Sequence, residues 1–127
     1  MGQPCRSPKR TILCIDDDNA ILRYERTLLE RSGYNVLTAV SPQQGLTLAM
    51  RSPIDAVVLD YHMPGMNGHN VAAAIKKCRP EISIVMFSAS GIPEETFKLV
   101  DAFVLKTEAI GRLVPIVAQL CNRASPS

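Results

Sequence analysis

Val57-Val58-Leu59-Asp60-Tyr61-His62-Met63-Pro64-Gly65-Met66-Asn67-Gly68 is the stretch whose reading decides the fold. The run leading into it, Ile54 to Leu59, is short, β-branched and apolar apart from Asp55. A buried helical turn would have the same hydropathy, but the breakers that follow at once favour a strand buried on both faces. The strand ends on a carboxylate, Asp60, and a Pro-Gly-x-Asn-Gly loop comes next. One Asp before Pro-Gly is by itself an ordinary turn residue. It becomes more than that only if other chemistry converges on the carboxyl edge of the sheet, where open α/β folds gather their ligands.

The chain has 127 residues, enough for one domain that buries roughly two thirds of its unfolded surface. Apolar residues make up 46% and charged residues 20%, an ordinary balance for a globular protein. No apolar run approaches the ~18 residues of a membrane span, and Thr11 to Ile15 runs straight into three aspartates instead of forming a signal-peptide core. A cytoplasmic chain without a membrane partner is the expectation. There are 14 basic and 12 acidic side chains; setting aside Arg6, Lys9 and Arg10 near the N-terminus leaves 11 against 12. No clustered basic face is left, so direct nucleic-acid binding is not expected. Cys5, Cys14, Cys78 and Cys121 have neither CxxC nor metal spacing and read as reduced thiols. The length leaves no room for a DNA-binding effector, and a monomer or weak dimer is expected.

Residues 1–10, polar with two prolines, read as a disordered leader, 11–122 as the domain and 123–127 as a tail. Thr11 to Ile15 is a strand that ends in Asp16-Asp17-Asp18-Asn19. The helix after it should place Ile21, Tyr24 and Leu28 on one face, with Gly33 as its left-handed stop. Asn35 to Val40 is a second strand. Ser41-Pro42-Gln43-Gln44 spells a capped helix start, and that helix runs to about Arg51. Asn67 can cap a helix that reaches Cys78, and Ile82 to Phe87 is a fourth strand, ending in Ser88-Ala89-Ser90. Pro93-Glu94-Glu95 opens a short helix. Ala102 to Leu105 is a fifth strand, ending at Lys106. A last helix, Ile110 to Leu120, should be kinked or restarted by Pro115.

Strand–helix alternation of this kind implies a parallel sheet covered on both faces, with every strand's carboxyl end on one edge. That edge would hold Asp16, Asp17 and Asp60, with Ser88 and Lys106. Clustered carboxylates raise one another's pKa, and a hard divalent cation such as Mg²⁺ relieves the repulsion. A metal, a lysine and a hydroxyl are what phosphoryl transfer needs, and a carboxylate can be its nucleophile. Asp60, the lone acid on a buried strand end, is the best phosphoacceptor. Each residue alone has a plainer reading: a helix entry for Asp16 to Asp18, a turn hydroxyl for Ser88, a solvated lysine for Lys106. All of these would have to hold at once on one sheet edge. His62 and His69 do not read as a metal pair, and Phe103 could be a core aromatic or a moving one.

These motifs carry a resemblance. ILCIDDD, VVLDYHMPGMNG, VMFSAS and AFVLKT, in order and each at a strand end, resemble the receiver domains of two-component response regulators over about Lys9 to Asn122. The resemblance implies a flavodoxin-like, doubly wound α/β fold with a five-stranded parallel sheet of order 2-1-3-4-5. It implies that Asp60 accepts phosphate from a histidine kinase or phosphotransfer protein and that the chain switches an output protein. It implies Mg²⁺ held by Asp17, Asp60 and the His62 backbone carbonyl, with Asp16 assisting through water. Lys106 would pair with the phosphate, and Ser88 and Phe103 would move as the switch. Ala89 would sit small beside the phosphate, the His62 side chain would tune hydrolysis, and Asp18 or Asn19 would cap the first helix.

Two departures from the family pattern stand out. Thr107 replaces the proline that usually follows the lysine in a cis bond; a cis non-proline bond costs about 2.5–4 kcal/mol, so a trans loop is expected. The span from Ser88 to Lys106 is also about one helical turn (~3.6 residues) short, which predicts a stunted fourth helix. Two other functions are weighed against a phosphorylation switch. A Mg²⁺-dependent phosphohydrolase would want a second acid near Asp60 and a substrate cap. A phosphate-independent interaction module would keep the fold and signal by binding. The chain itself is not expected to be an enzyme, beyond phosphorylating and dephosphorylating its own Asp60.

Overall fold

The computed structural model describes residues 9–124. Its strands are β1 (Thr11–Ile15), β2 (Asn35–Ala39), β3 (Ala56–Asp60), β4 (Ser83–Ser88) and β5 (Ala102–Leu105). Its helices are α1 (Asn19–Arg31), α2 (Pro42–Arg51), α3 (Gly68–Cys78), α4 (Glu94–Phe97) and α5 (Ala109–Ala124). The strands form one parallel sheet in the order β2-β1-β3-β4-β5, as the resemblance implies. The leader and tail expectations fall largely on residues 1–8 and 125–127, outside the described residues, and α5 runs two residues past the expected end at 122.

Successive side chains along a strand point to opposite faces, and the core divides accordingly. Ile12, Cys14, Ala56, Val58, Val85, Phe87 and Val104 face α1 and α5. Leu13, Ile15, Val57, Leu59, Ile84 and Met86 face α2 and α3. This parity positions the site: Asp16, Asp60 and Lys106 continue the rows of Cys14, Val58 and Val104, so all three start from the α1/α5 side of the edge.

The helix starts follow the expected chemistry. Ser41 Oγ accepts from Gln44 N at 3.1 Å, Asn67 Oδ1 from Asn70 N at 3.1 Å, and Asp18 Oδ1 from Ala20 N at 2.8 Å. Asp18, rather than Asn19, is therefore the cap of α1. Gly33 lies at φ 97°, the left-handed stop. β3 begins at Ala56, because Asp55 turns its carboxylate to accept the Thr11 N–H at 2.8 Å.

Two expectations are corrected. The buried stripe of α1 is Leu22, Glu25 and Leu29, with Ile21, Tyr24 and Leu28 only partly buried beside it. A charged residue at the centre of the stripe displaced the hydropathy reading by one position. Pro115 does not restart α5, which is one helix from Ala109 to Ala124. Pro115 and Gly111 are both exposed, so water can take over the hydrogen bond that the proline cannot make. The fourth helix is indeed short, at four residues, and no described peptide bond is cis, Lys106–Thr107 included. No helix among the described residues is long and apolar enough to cross a membrane.

Candidate functional site

Register explains how distant residues meet. Ile15 pairs with Leu59, which sets Asp16 and Asp60 side by side one step on. Asp60 pairs with Phe87 and Phe87 with Val104, so Lys106, two residues beyond Val104, must reach back across β4. Its ammonium passes 5.8 Å from the centroid of the buried Phe87 ring and ends 2.8 Å from Asp16 Oδ2 and 3.2 Å from Asp60 Oδ1. The apolar stem of the lysine packs while its head remains with the acids.

Carboxylate oxygens of Asp16, Asp17 and Asp60 lie within 4.8 Å of one another. Asp16 and Asp60 are buried and Asp17 is exposed. Asp16 Oδ1 accepts the Asp18 N–H at 2.9 Å, which fixes the carboxylate and ties it to the start of α1. Burial first, and the Asp16 charge second, raise the pKa of Asp60 above the usual carboxylate value, with Lys106 partly offsetting them. Burial works against the Lys106 ammonium, but hydrogen bonds and charge from Asp16 and Asp60 outweigh it and raise its pKa. One lysine thus serves a cluster of three acids and leaves negative charge in excess. Hard oxygen donors, converging and partly open to solvent through Asp17, suit Mg²⁺; the donor set fits that ion.

A further carboxyl interacts electrostatically with the cluster. Glu25 of α1 is 1% exposed, inside the α1/α5 core, and its Oε1 has no hydrogen-bond partner. Burial, followed by the charge of Asp16, raises its pKa well above the ordinary value. Burial thus works against the ionised form of Glu25, next to the buried Cys14 thiol. No local motif in the sequence marks Glu25 for a role. Only its place between Leu22 and Leu29, at helical spacing, could have revealed it.

Ser88, fully buried at the end of β4, accepts the Ser90 N–H at 3.4 Å. Ala89 is exposed. His62 is exposed, its ring edge-on to Tyr61 with centroids 4.9 Å apart. Phe103 is half-buried and packs edge-on against Phe97 at 5.4 Å. His69 turns to Thr96, its Nδ1 2.9 Å from Thr96 Oγ1.

Gly68 completes the site. A Cβ there would fall 2.7 Å from the Asp60 carbonyl oxygen and 2.8 Å from Tyr61 Cα, and its N–H reaches Tyr61 O at 2.7 Å. The start of α3 can lie against the end of β3 only because this side chain is absent.

A family model for the response regulator receiver domain matches residues 12–118. GlrR, a transcriptional regulatory protein of Escherichia coli K12, is 34% identical over 84 residues, 65% of this chain and 19% of that protein. PrrA, a transcriptional regulatory protein of Mycobacterium tuberculosis, is 30% identical over 116 residues, 88% of this chain and 50% of that protein. The chain spans half or less of the length of these relatives. The response regulator TrrA from Thermotoga maritima, in complex with Mg(2+)-BeF, matches with a TM-score of 0.83 at 27% identity, covering 87% of this chain and 98% of that one. TrrA in complex with the histidine kinase ThkA matches with a TM-score of 0.81 at 27% identity, covering 87% of this chain and 97% of that one.

Proposed function

Since this chain belongs to the response regulator receiver domain family, we propose that its Asp60 is the phosphoacceptor of a two-component relay. The observation that carries the reading is the convergence of Asp16, Asp17 and Asp60 on one point, with Lys106 joining two of them. The donor is the phosphohistidine of a histidine kinase or phosphotransfer protein. An Asp60 carboxylate oxygen attacks phosphorus, the P–O bond forms as the P–N bond breaks, and the departing imidazole nitrogen takes a proton from solvent. Water later attacks phosphorus and restores the carboxylate, so the chain turns over only its own phosphate.

Asp17, Asp60 and the His62 backbone carbonyl would hold Mg²⁺ directly, and Asp16 through water. When bound, the ion neutralises charge on the transferring phosphoryl oxygens. Lys106 gives up its Asp60 oxygen and follows the phosphoryl group, while buried Asp16 keeps the ammonium aimed at the pocket. Ser88 leaves the Ser90 N–H and turns to the phosphoryl oxygen; Phe103 moves into the space this opens. Ala89 keeps the approach clear, and His62, exposed beside the pocket, adjusts hydrolysis. The output is a protein partner, the chain does not itself contact nucleic acid, and the relay is cytoplasmic.

Incubation with Mg²⁺ and acetyl phosphate, read by intact mass, tests this. One phosphoryl adduct on the wild type and none on Asp60→Asn is the expected result. Multiple turnover of an external phosphoester would replace the reading with a phosphohydrolase. No adduct under any condition would favour a phosphate-independent module.

A further inference from the structure

The helix α4 has only four residues, too few to be stable by itself, and its N-cap position, Pro93, offers no side-chain hydrogen bond. What fixes it is Thr96, fully buried within it. A buried hydroxyl needs a partner, and Thr96 Oγ1 finds one outside its own helix, in His69 Nδ1 of α3 at 2.9 Å. His69 directly follows Gly68, whose backbone lies against the Asp60 carbonyl and bonds to Tyr61 O. Phe97 directly follows Thr96; it is 48% exposed and stacks edge-on with Phe103. A continuous path of packed backbone and one hydrogen bond therefore joins the phosphoacceptor strand to an exposed aromatic side chain. This path bypasses Ser88.

We propose that the His69–Thr96 hydrogen bond is a coupling element that transmits occupancy of the Asp60 pocket through α3 to α4 and the Phe97 surface. The inference rests on the phosphoacceptor reading of Asp60. A phosphoryl group on Asp60 changes the load on the β3 carboxyl end; Gly68 has no side chain to absorb a shift there, so the start of α3 moves with it. The short α4 follows because His69 holds it from α3.

The test uses the full ¹⁵N-labelled chain, Mg²⁺ and beryllofluoride as the phosphoryl mimic, with amide shifts read at residues 16–18, 60–62 and 106 and at residues 94–99. In the wild type both groups should move. In Thr96→Val, which keeps the buried shape without the hydroxyl, the pocket should still respond while the shifts at 94–99 fall by roughly threefold or more. His69→Leu should do the same from the half-buried side of the bond, and it serves if Thr96→Val does not fold. Thr96→Ser should restore the response. Full wild-type shifts at 94–99 in Thr96→Val or His69→Leu would overturn the coupling and leave the phosphoacceptor reading intact. Pocket amides that stay still in the wild type, with no adduct from acetyl phosphate, would sink both.

Discussion

The Lys106 ammonium lies 3.2 Å from Asp60 Oδ1, although a whole strand, β4, separates β3 from the end of β5. A lysine that bridges this gap occupies charge that a divalent ion would also seek. Lys106→Met should therefore bind Mg²⁺ severalfold more tightly than the wild type, by ~1 kcal/mol, the upper range for a single partly solvated ion pair. Labelling by acetyl phosphate should nonetheless fall at least about tenfold, because a cation that follows the transferring group is lost. A magnesium titration followed by NMR, with intact mass on the same variant, checks both directions. Weaker magnesium binding would mean that the lysine organises the carboxylates more than it competes for them.

Asp60→Asn should raise stability. The folded-state pKa of Asp60 is raised, chiefly by burial and next by Asp16. Above the ordinary carboxylate pKa the unfolded chain has released this proton while the folded chain still holds it, so stability falls as pH rises toward the raised value. The penalty is absent below the ordinary pKa and complete above the folded one. The variant should accordingly match the wild type near the acid end and gain a few degrees in Tm at neutral pH, about 1 kcal/mol. Calorimetry at both ends of the range measures it.

Glu25 should give the same sign from a less solvated position. Its carboxyl is buried among Leu22, Leu29 and Cys14, and one oxygen is unpartnered. Its pKa is raised well above 4.5, first by burial and then by Asp16, so its contribution also worsens as pH climbs through that window. Glu25→Leu should stabilise the protein by about 1–3 kcal/mol, the usual cost of a buried polar group without a partner, with the larger gain at alkaline pH. Urea unfolding at pH 5 and pH 8.5 is the measurement, and a pH-independent difference would mean that packing alone is responsible.

The uneven legibility of this chain has a physical cause. Asp16, Asp60 and Lys106 could be read because each ends an apolar run, and strand parity then decides where such a residue points. Asp18, Ser41 and Asn67 were legible as caps because a cap depends on local backbone donors alone. Glu25 was not, since hydropathy assumes that a charged residue faces water. The His69–Thr96 bond was not either, because it joins residues 27 positions apart and neither carries a local signal. Continuation of α5 through Pro115 depended on solvent exposure, which the sequence does not state.

Two glycines should respond in opposite directions to the same substitution. Gly68→Ala would place a methyl group 2.7 Å from the Asp60 carbonyl oxygen and 2.8 Å from Tyr61 Cα, both backbone atoms that cannot yield as side chains do. A cost of about 1–3 kcal/mol is expected, as for overpacking, and acetyl phosphate labelling should drop because relief of the clash displaces the end of β3 and Asp60 with it. At Gly111, inside α5, an added Cβ meets nothing within 4 Å, and φ is not positive there. Gly111→Ala should stabilise by about 0.4–1 kcal/mol through lost unfolded-state entropy and better helix propensity, with labelling unchanged. Chemical denaturation of both variants alongside intact-mass labelling separates the two effects. A Gly68→Ala protein as stable and as readily labelled as the wild type would mean that α3 can retreat from β3 without disturbing Asp60.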